Sequence, residues 1–475
     1  MPARPDGTGT GPLRRILARL TGDSLTRNSF GIMATTAVNA GLGYLYWIAA
    51  ARLLPTETVG LGATVVSAMV IIALAVYLGP GAGLIARLPK RTTREQWLLS
   101  MLSILLVATT GTLVLALAAL FPLALLLHPL HPLAADPALA AWFVVGAAGW
   151  AAAGLLDDVF VGQRRADFMF RRNAVSSTVK LVGLLVLSQL PDKPGATLIV
   201  ATWGLAGLAG TAYGLYLCHR HFHRFSRIPR VSRGLARELR AEVTQLARPS
   251  LGHHAISVSG LVPTYLLPIV VTARLGAQEN AYFYVTWMIG AASFMISPAV
   301  SDAIFAEGSH DATRLLALAR RSLRIIIAMI VPVTLIVGAL GQPILHLYGA
   351  AYAAAGYGLL LVLLLSSYPD AVTNISVATL RVRNRLPRAA LLNGTIALIA
   401  VAGAWVLTPH YGIIGAGYAW LGAQCVGTLI VLLLRRRLWP PPDAAADDGA
   451  RGDTEAADPA AASASSATTG RTGGG

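Results

Sequence analysis

Lys180 and Asp370 are ionisable residues near the middle of long apolar runs. A charge at that depth costs at least about 2.5–3.5 kcal/mol to place in hydrocarbon, which makes each a candidate functional group. Lys180 has the chemistry to attract an anionic group inside a cleft. Asp370 follows Pro369, where proline frees backbone carbonyls and can open a helix toward a cavity; its carboxylate suits a coupling proton or sodium ion. A structural Lys180–Asp370 pair explains the same residues, and both readings stand. Arg52 and Arg274 occupy equivalent ends of two apolar runs. Their guanidiniums suit bidentate capture of phosphate, or they anchor helix ends beside Glu57 and Glu279. Asp157, Asp158 and Asp302 near the opposite run ends suit a gate closed against Arg164, Arg165 or Arg248, or simple surface pairing. His253 and His254 near that same side have the chemistry of a pH sensor. Arg381, Arg383, Arg385 and Arg388 crowd one gap; they suit an anionic headgroup, and orientation of the chain explains them equally well. Asn39, Asn374 and Asn393 offer donors and acceptors to sugar hydroxyls in a cleft or to neighbouring helices.

Enzymatic motifs are missing. The chain has no HExxH, no Gly-rich phosphate loop with lysine and no GxSxG, so an enzyme is not expected and ATP is not a direct drive. No cofactor or metal is expected: Cys218 and Cys425 lack metal spacing. The net charge of +16 is spread over short gaps between apolar runs, which excludes a nucleic-acid patch as its explanation.

The elements that must position these groups are membrane helices. Of the 475 residues, 55% are apolar and 13% charged, with mean hydropathy +0.61. The apolar runs approach 20 residues, enough to cross a hydrocarbon core of about 30 Å. Twelve helices are expected, at approximately 29–51, 60–80, 97–121, 139–161, 168–190, 196–218, 249–272, 282–306, 322–346, 353–379, 387–407 and 411–434. Every second gap is basic: the N-terminal tail, 87–96, 162–172, 219–248, 307–324, 380–388 and 435–437 hold 32 of the 38 Lys and Arg. Basic loops stay in the cytoplasm, so both termini are expected there. The domain boundaries that follow are a basic tail over 1–28, a six-helix bundle over 29–218, a linker over 219–248, a second bundle over 249–436 and a disordered tail over 437–475. In the linker Ile228, Val231, Leu235, Leu239, Val243 and Leu246 recur every three or four residues, a surface-lying or solvated amphipathic helix. Prolines 263, 268, 298, 332 and 369 mark the second bundle as the more bent and the moving part.

An internal repeat joins the bundles. Ala51-Arg52-Leu53 aligns with Ala273-Arg274-Leu275, Glu57 with Glu279 and Thr64 with Thr286; Trp203 and Trp420 echo each other in the last helix of each half. Six helices between copies give both halves one orientation, the pattern of two bundles around a central site.

Residues 50–60 (Ala-Ala-Arg-Leu-Leu-Pro-Thr-Glu-Thr-Val-Gly), Leu78-Gly79-Pro80-Gly81 with Arg87, Gly162-Gln163-Arg164-Arg165 and Gly412-Ile413-Ile414-Gly415-Ala416-Gly417 follow in that order through the helices. In this order and spacing they resemble the polysaccharide transporters, the O-antigen flippase branch of the multidrug/oligosaccharidyl-lipid/polysaccharide exporter superfamily. The resemblance covers residues 25–437. It implies an all-α V-shaped pair of six-helix bundles with alternating access. It also implies flipping of an undecaprenyl-pyrophosphate-linked saccharide from the inner to the outer leaflet of the cell membrane. The expected partners are that substrate, membrane lipids, and a polysaccharide polymerase and glycosyltransferases. Lys180, Arg52, Arg274, Asn39, Arg381 and Arg383 then become candidate contacts for the pyrophosphate and sugar. The alternatives are a drug/cation antiporter of the same superfamily and a non-transporting scaffold for envelope enzymes. A drug pump should carry a carboxylate deep in the first helix, where this chain has Asn39.

Overall fold

The computed structural model describes residues 24–190, 195–222, 237, 240–244, 251–301 and 315–434. These residues form twelve long helices. The first six are α1 (Ser24–Leu53), α2 (Thr56–Arg87), α3 (Arg94–Leu126), α4 (Pro137–Gly162), α5 (Ala166–Leu187) and α6 (Ala196–Phe222). The second six are α7 (Leu251–Leu275), α8 (Ala277–Phe294), α9 (Leu315–His346), α10 (Ala350–Val382), α11 (Leu386–Tyr411) and α12 (Ile413–Leu433). Ten are long and apolar enough to cross a membrane, and α1 and α5 are the two outside that set. The reason is chemical: α5 carries Arg172, Asn173, Ser176, Ser177 and Lys180, and α1 carries Asn39. They line a polar interior. By contrast Phe121 and Leu125 of α3 and Leu335 of α9 are exposed at the perimeter, as required of helices that meet lipid.

The two halves repeat each other. The α1–α5, α2–α4, α3–α4, α4–α6 and α5–α6 packings recur as α7–α11, α8–α10, α9–α10, α10–α12 and α11–α12. Local geometry repeats as well. Arg164 after α4 (φ 56°) and Asn384 after α10 (φ 54°) both take left-handed conformations. The residue after each, Arg165 or Arg385, donates its N–H to Phe160 O or Leu380 O at 2.8 Å. This closes the freed carbonyls of two equivalent helix ends. The expected all-α fold in two like bundles is the one observed.

The basic junctions α2–α3, α4–α5 and α10–α11 share one face, here the basic face. Of the linker, residue 237 and residues 240–244 are described; Ile228, Val231, Leu235, Leu239, Leu246 and Arg248 lie outside the described residues, as does Asp302. Glu242 pairs with Arg91 and accepts a hydrogen bond from Ser100, while Val243 packs on the apolar cluster of α2, α3 and α4. That segment is docked on the first bundle instead of lying free in solvent.

At the opposite face the halves are sewn together by α2, which packs on both α7 and α8. Asn280 Nδ2 donates to Gly60 O at 2.9 Å and to Thr64 Oγ1 at 2.8 Å, and the Thr64 and Thr272 hydroxyls are hydrogen-bonded. Gly60 is required here, because a Cβ would run into the Ala277 backbone. Small residues at a helix crossing allow such approach. Gly60→Ala is therefore expected to lower stability by about 1–3 kcal/mol, the usual cost of overpacking. Thermal unfolding in detergent checks this, and an unchanged Tm contradicts it.

Candidate functional site

A cavity of about 490 Å³ opens between the halves, walled by α1, α2, α4, α5 and α6 on one side and by α7 and α8 on the other. Its polar wall comes from α5. Arg172, Ser176 and Lys180 recur every four residues, so one face of that helix carries them all. Gly210 and Gly214 of α6 leave room for this face: a Cβ at either would press on Arg172, and at Gly210 also on Ser176.

Lys180 lines the cavity. Its Nζ lies 4.2 Å from the Trp203 ring centre and 5.4 Å from that of Tyr46. Among the described residues no carboxylate forms an ion pair with it. The aromatic faces partly replace lost hydration by cation–π attraction but bring no negative charge. They belong to a larger set. Trp150 stacks on Trp203 at 5.2 Å, and Trp47 meets Tyr284 of the second half at 4.7 Å. Tyr44 also crosses over, donating to Met288 O at 3.2 Å.

Nearer the basic face, Arg172 holds Asp157 with a two-pronged bridge, Nε to Oδ1 at 2.7 Å and Nη2 to Oδ2 at 2.6 Å. Asn173 Nδ2 donates to the same carboxylate at 3.0–3.1 Å. Asn39 Nδ2 donates to Asn173 Oδ1, and Ser177 Oγ donates to Asn39 Oδ1, each at 2.9 Å. The network ties α1, α4 and α5 together. Its Asp157 and Arg172 charges cancel, leaving Lys180 as the uncompensated charge of the cavity lining.

Lys180, Asn39 and Asp157 thus converge. Arg172 joins them, although the sequence counts it only among the basic residues of the gap 162–172 and gives it no site role: it is on the second turn of α5 and buried. The four-residue spacing from Arg172 to Lys180 was the available signal. Other candidates go elsewhere. Arg52 donates Nε to Leu347 O at 2.9 Å and Nη2 to His346 O at 2.7 Å, latching α1 to the α9–α10 junction. Arg274 lies 4.9 Å over the Trp405 ring within its own bundle. Each is engaged by a different local partner. Arg165 is bound to Asp167 by two 2.8 Å contacts and covers the Phe168 ring. Asp158 lies against Gly81 of α2. The expected ion pairs from Asp157 and Asp158 to Arg164 or Arg165 are therefore not formed; the nearer guanidinium of Arg172 takes Asp157. Asp370 is buried on α10 and accepts from Gln424 Nε2 at 3.1 Å. It is not the partner of Lys180. Pro369 does not open α10, which runs unbroken past it. Asn374 donates to Asp370 O and Asn393 to Ile256 O, both at 3.0 Å, so both serve helix contacts. Arg381 and Arg383 lie at the α10–α11 junction on the basic face; burial and then the neighbouring Arg385 charge hold Arg383 below its ordinary pKa.

Arg52→Gln removes the latch at the opposite face. A larger mean spin-label distance between the ends of α1 and α9 is expected, and an unchanged distance distribution contradicts the latch.

The family model described as polysaccharide biosynthesis protein matches residues 25–305. No curated protein matches the chain. Three solved structures share its fold. A lipid II flippase MurJ in an inward closed conformation has TM-score 0.66 and 11% identity, covering 86% of this chain and 87% of its own. An inward-facing multidrug resistance MATE family transporter of the MOP superfamily has TM-score 0.64 and 15% identity, covering 86% and 98%. A MOP superfamily transporter from Pyrococcus furiosus, whose reverse pocket polarity is said to suggest a different function, has TM-score 0.55 and 15% identity, covering 91% and 99%.

Proposed function

Because the chain belongs to the polysaccharide biosynthesis protein family, we propose that it is a transporter that carries a lipid pyrophosphate-linked oligosaccharide across the cell membrane by alternating access. The observation that carries this reading is Lys180, a cation with no carboxylate partner among the described residues, held on an aromatic wall of the cavity. A pyrophosphate supplies the missing negative charge, and charge-assisted hydrogen bonds to it are strong in a dry site. The Trp and Tyr faces supply apolar surface beside it, the usual make-up of a ligand pocket with a few placed polar groups. A cationic drug is the poorer fit, because Asp157 is already neutralised by Arg172. Fold likeness to the MurJ flippase supports the lipid-linked substrate class.

In this reading the basic face is cytoplasmic, in keeping with the distribution of arginine. The seal at Gly60, Thr64 and Asn280 closes the outer side, and the cavity receives substrate from the inner leaflet. The two six-helix halves rock about the α2 contacts. Undecaprenyl is the carrier, and polymerase and glycosyltransferases are the partners on either side of the step. Deleting the gene is expected to trap a lipid-linked glycan precursor on the inner leaflet. Normal surface polysaccharide with no trapped precursor overturns the reading.

A further inference from the structure

A second cavity, of about 550 Å³, opens on the basic face beside α1. Arg164, Arg165 and Arg171 line it together with one carboxylate, Asp167; Gly31 and Ala34 form its α1 wall. Arg165 takes Asp167 by two 2.8 Å contacts and lies 3.5 Å over the Phe168 ring. Arg171 lies 5.9 Å from the same ring. Arg164 and Arg171 are exposed and form no ion pair among the described residues. Like charges gathered in one concave site build a field that draws in an anion.

The second half shows that the turn itself does not need these charges. The matched turn after α10 has Asn384 in place of Arg164 and Leu391 in place of Arg171. The close approach of Gly31 to Ala166 recurs as Gly252 to Leu386. Both turns are left-handed, a conformation that asparagine adopts more readily than arginine. Arg164 therefore holds a position that its backbone disfavours, and what the first half gains there is a guanidinium.

The cavity continues into a groove. Along the flank of α1 away from the central cavity, Ala34, Val38, Gly41 and Leu45 recur every three or four residues. The adjoining flank of α5 presents Arg171, Ala174, Thr178, Leu181 and Leu185 at the same spacing. All nine are exposed or half-buried, and a Cβ on Gly41 would meet nothing within 4 Å. Arg171 is the one charge among them, at the end that joins the cavity. Behind the groove, Asn39 closes the α1–α5 contact by 2.9 Å hydrogen bonds with Asn173 and Ser177. The groove thus opens outward to the bilayer and not onto Lys180.

We propose that this cavity and groove bind an anionic phospholipid, with its phosphodiester on Arg164 and Arg171 and its acyl chains along α1 and α5. Guanidinium forks match phosphate oxygens, and basic pockets between membrane helices hold such headgroups. Three guanidiniums against one carboxylate leave the cavity positive, so a headgroup that adds an amine is disfavoured. With the basic face cytoplasmic, the lipid belongs to the inner leaflet. It braces the inner half of α1, whose main packing is on α5. The site does not depend on what the central cavity carries.

The test is native mass spectrometry of the full chain, released from detergent micelles with added phosphatidylglycerol or phosphatidylcholine of equal chain length. Preferential retention of phosphatidylglycerol is expected. Arg164→Gln with Arg171→Gln is expected to weaken it about tenfold or more, through loss of charge-assisted contacts, with Tm in lipid-free detergent unchanged. Ala34→Trp keeps every charge and fills the groove; it is expected to weaken retention too, and this arm stands even where the arginine variant fails to fold. Arg321→Gln with Arg324→Gln, at the start of α9, is expected to leave retention unchanged. Three results overturn the proposal. Equal retention of both lipids means no headgroup selection. An equal loss in the α9 variant means diffuse attraction to the basic face. Displacement by inorganic phosphate alone means a free-phosphate site.

Discussion

Lys180→Met is expected to abolish export of the polysaccharide while the protein accumulates in the membrane at its normal level. The side chain keeps its length and apolar stem, so packing on Trp203 and Tyr46 survives. Only the charge goes. A hydrogen bond to a charged group contributes about 1.5–3 kcal/mol, which predicts a loss of roughly ten- to a hundredfold in affinity for a pyrophosphate. Folding moves the other way: removing an unpaired cation from a desolvated position relieves a cost, so Tm stays level or rises. Loss of function with unchanged or higher Tm separates a substrate-binding lysine from a structural one. Full export by Lys180→Met contradicts the role.

The second large effect concerns Arg172 and Asp157. Their side chains are 5% and 19% exposed. Breaking a buried pair by removing one partner costs about 3–5 kcal/mol, because the other charge is stranded. Arg172→Leu and Asp157→Asn are each expected to lower Tm strongly. The double variant recovers most of the loss, since a buried pair replaced on both sides is close to neutral. A double-mutant cycle in detergent measures this; additive losses contradict the coupling.

The helices were legible because hydrocarbon imposes a length that no soluble helix must obey. Their ends were less so. Counting residues 162–172 as one basic gap hides Arg172 among topology charges, although it lies within α5, which starts at Ala166. Basic residues at a helix start and basic residues facing a cavity look alike in a charge count; only the four-residue spacing to Lys180 separates them. Asn39 and Lys180 could be found because polar groups are expensive at that depth. Partners in space were not readable. Nothing in the sequence directs Arg52 to the carbonyls of His346 and Leu347 or Arg274 to Trp405, since backbone acceptors and ring faces leave no pattern. The repeat was visible at its charged corner, Arg52 and Arg274, and its fuller form emerges in the matched left-handed turns at Arg164 and Asn384.

The most direct test of the central claim is reconstitution. Purified protein in proteoliposomes is supplied with a fluorescent undecaprenyl pyrophosphate-linked oligosaccharide, and its accessibility to a membrane-impermeant quencher is followed in time. Movement between leaflets is expected with the wild type and absent with Lys180→Met. Wild-type vesicles that leave this lipid in place, while expelling a cationic dye against its gradient, would contradict the account.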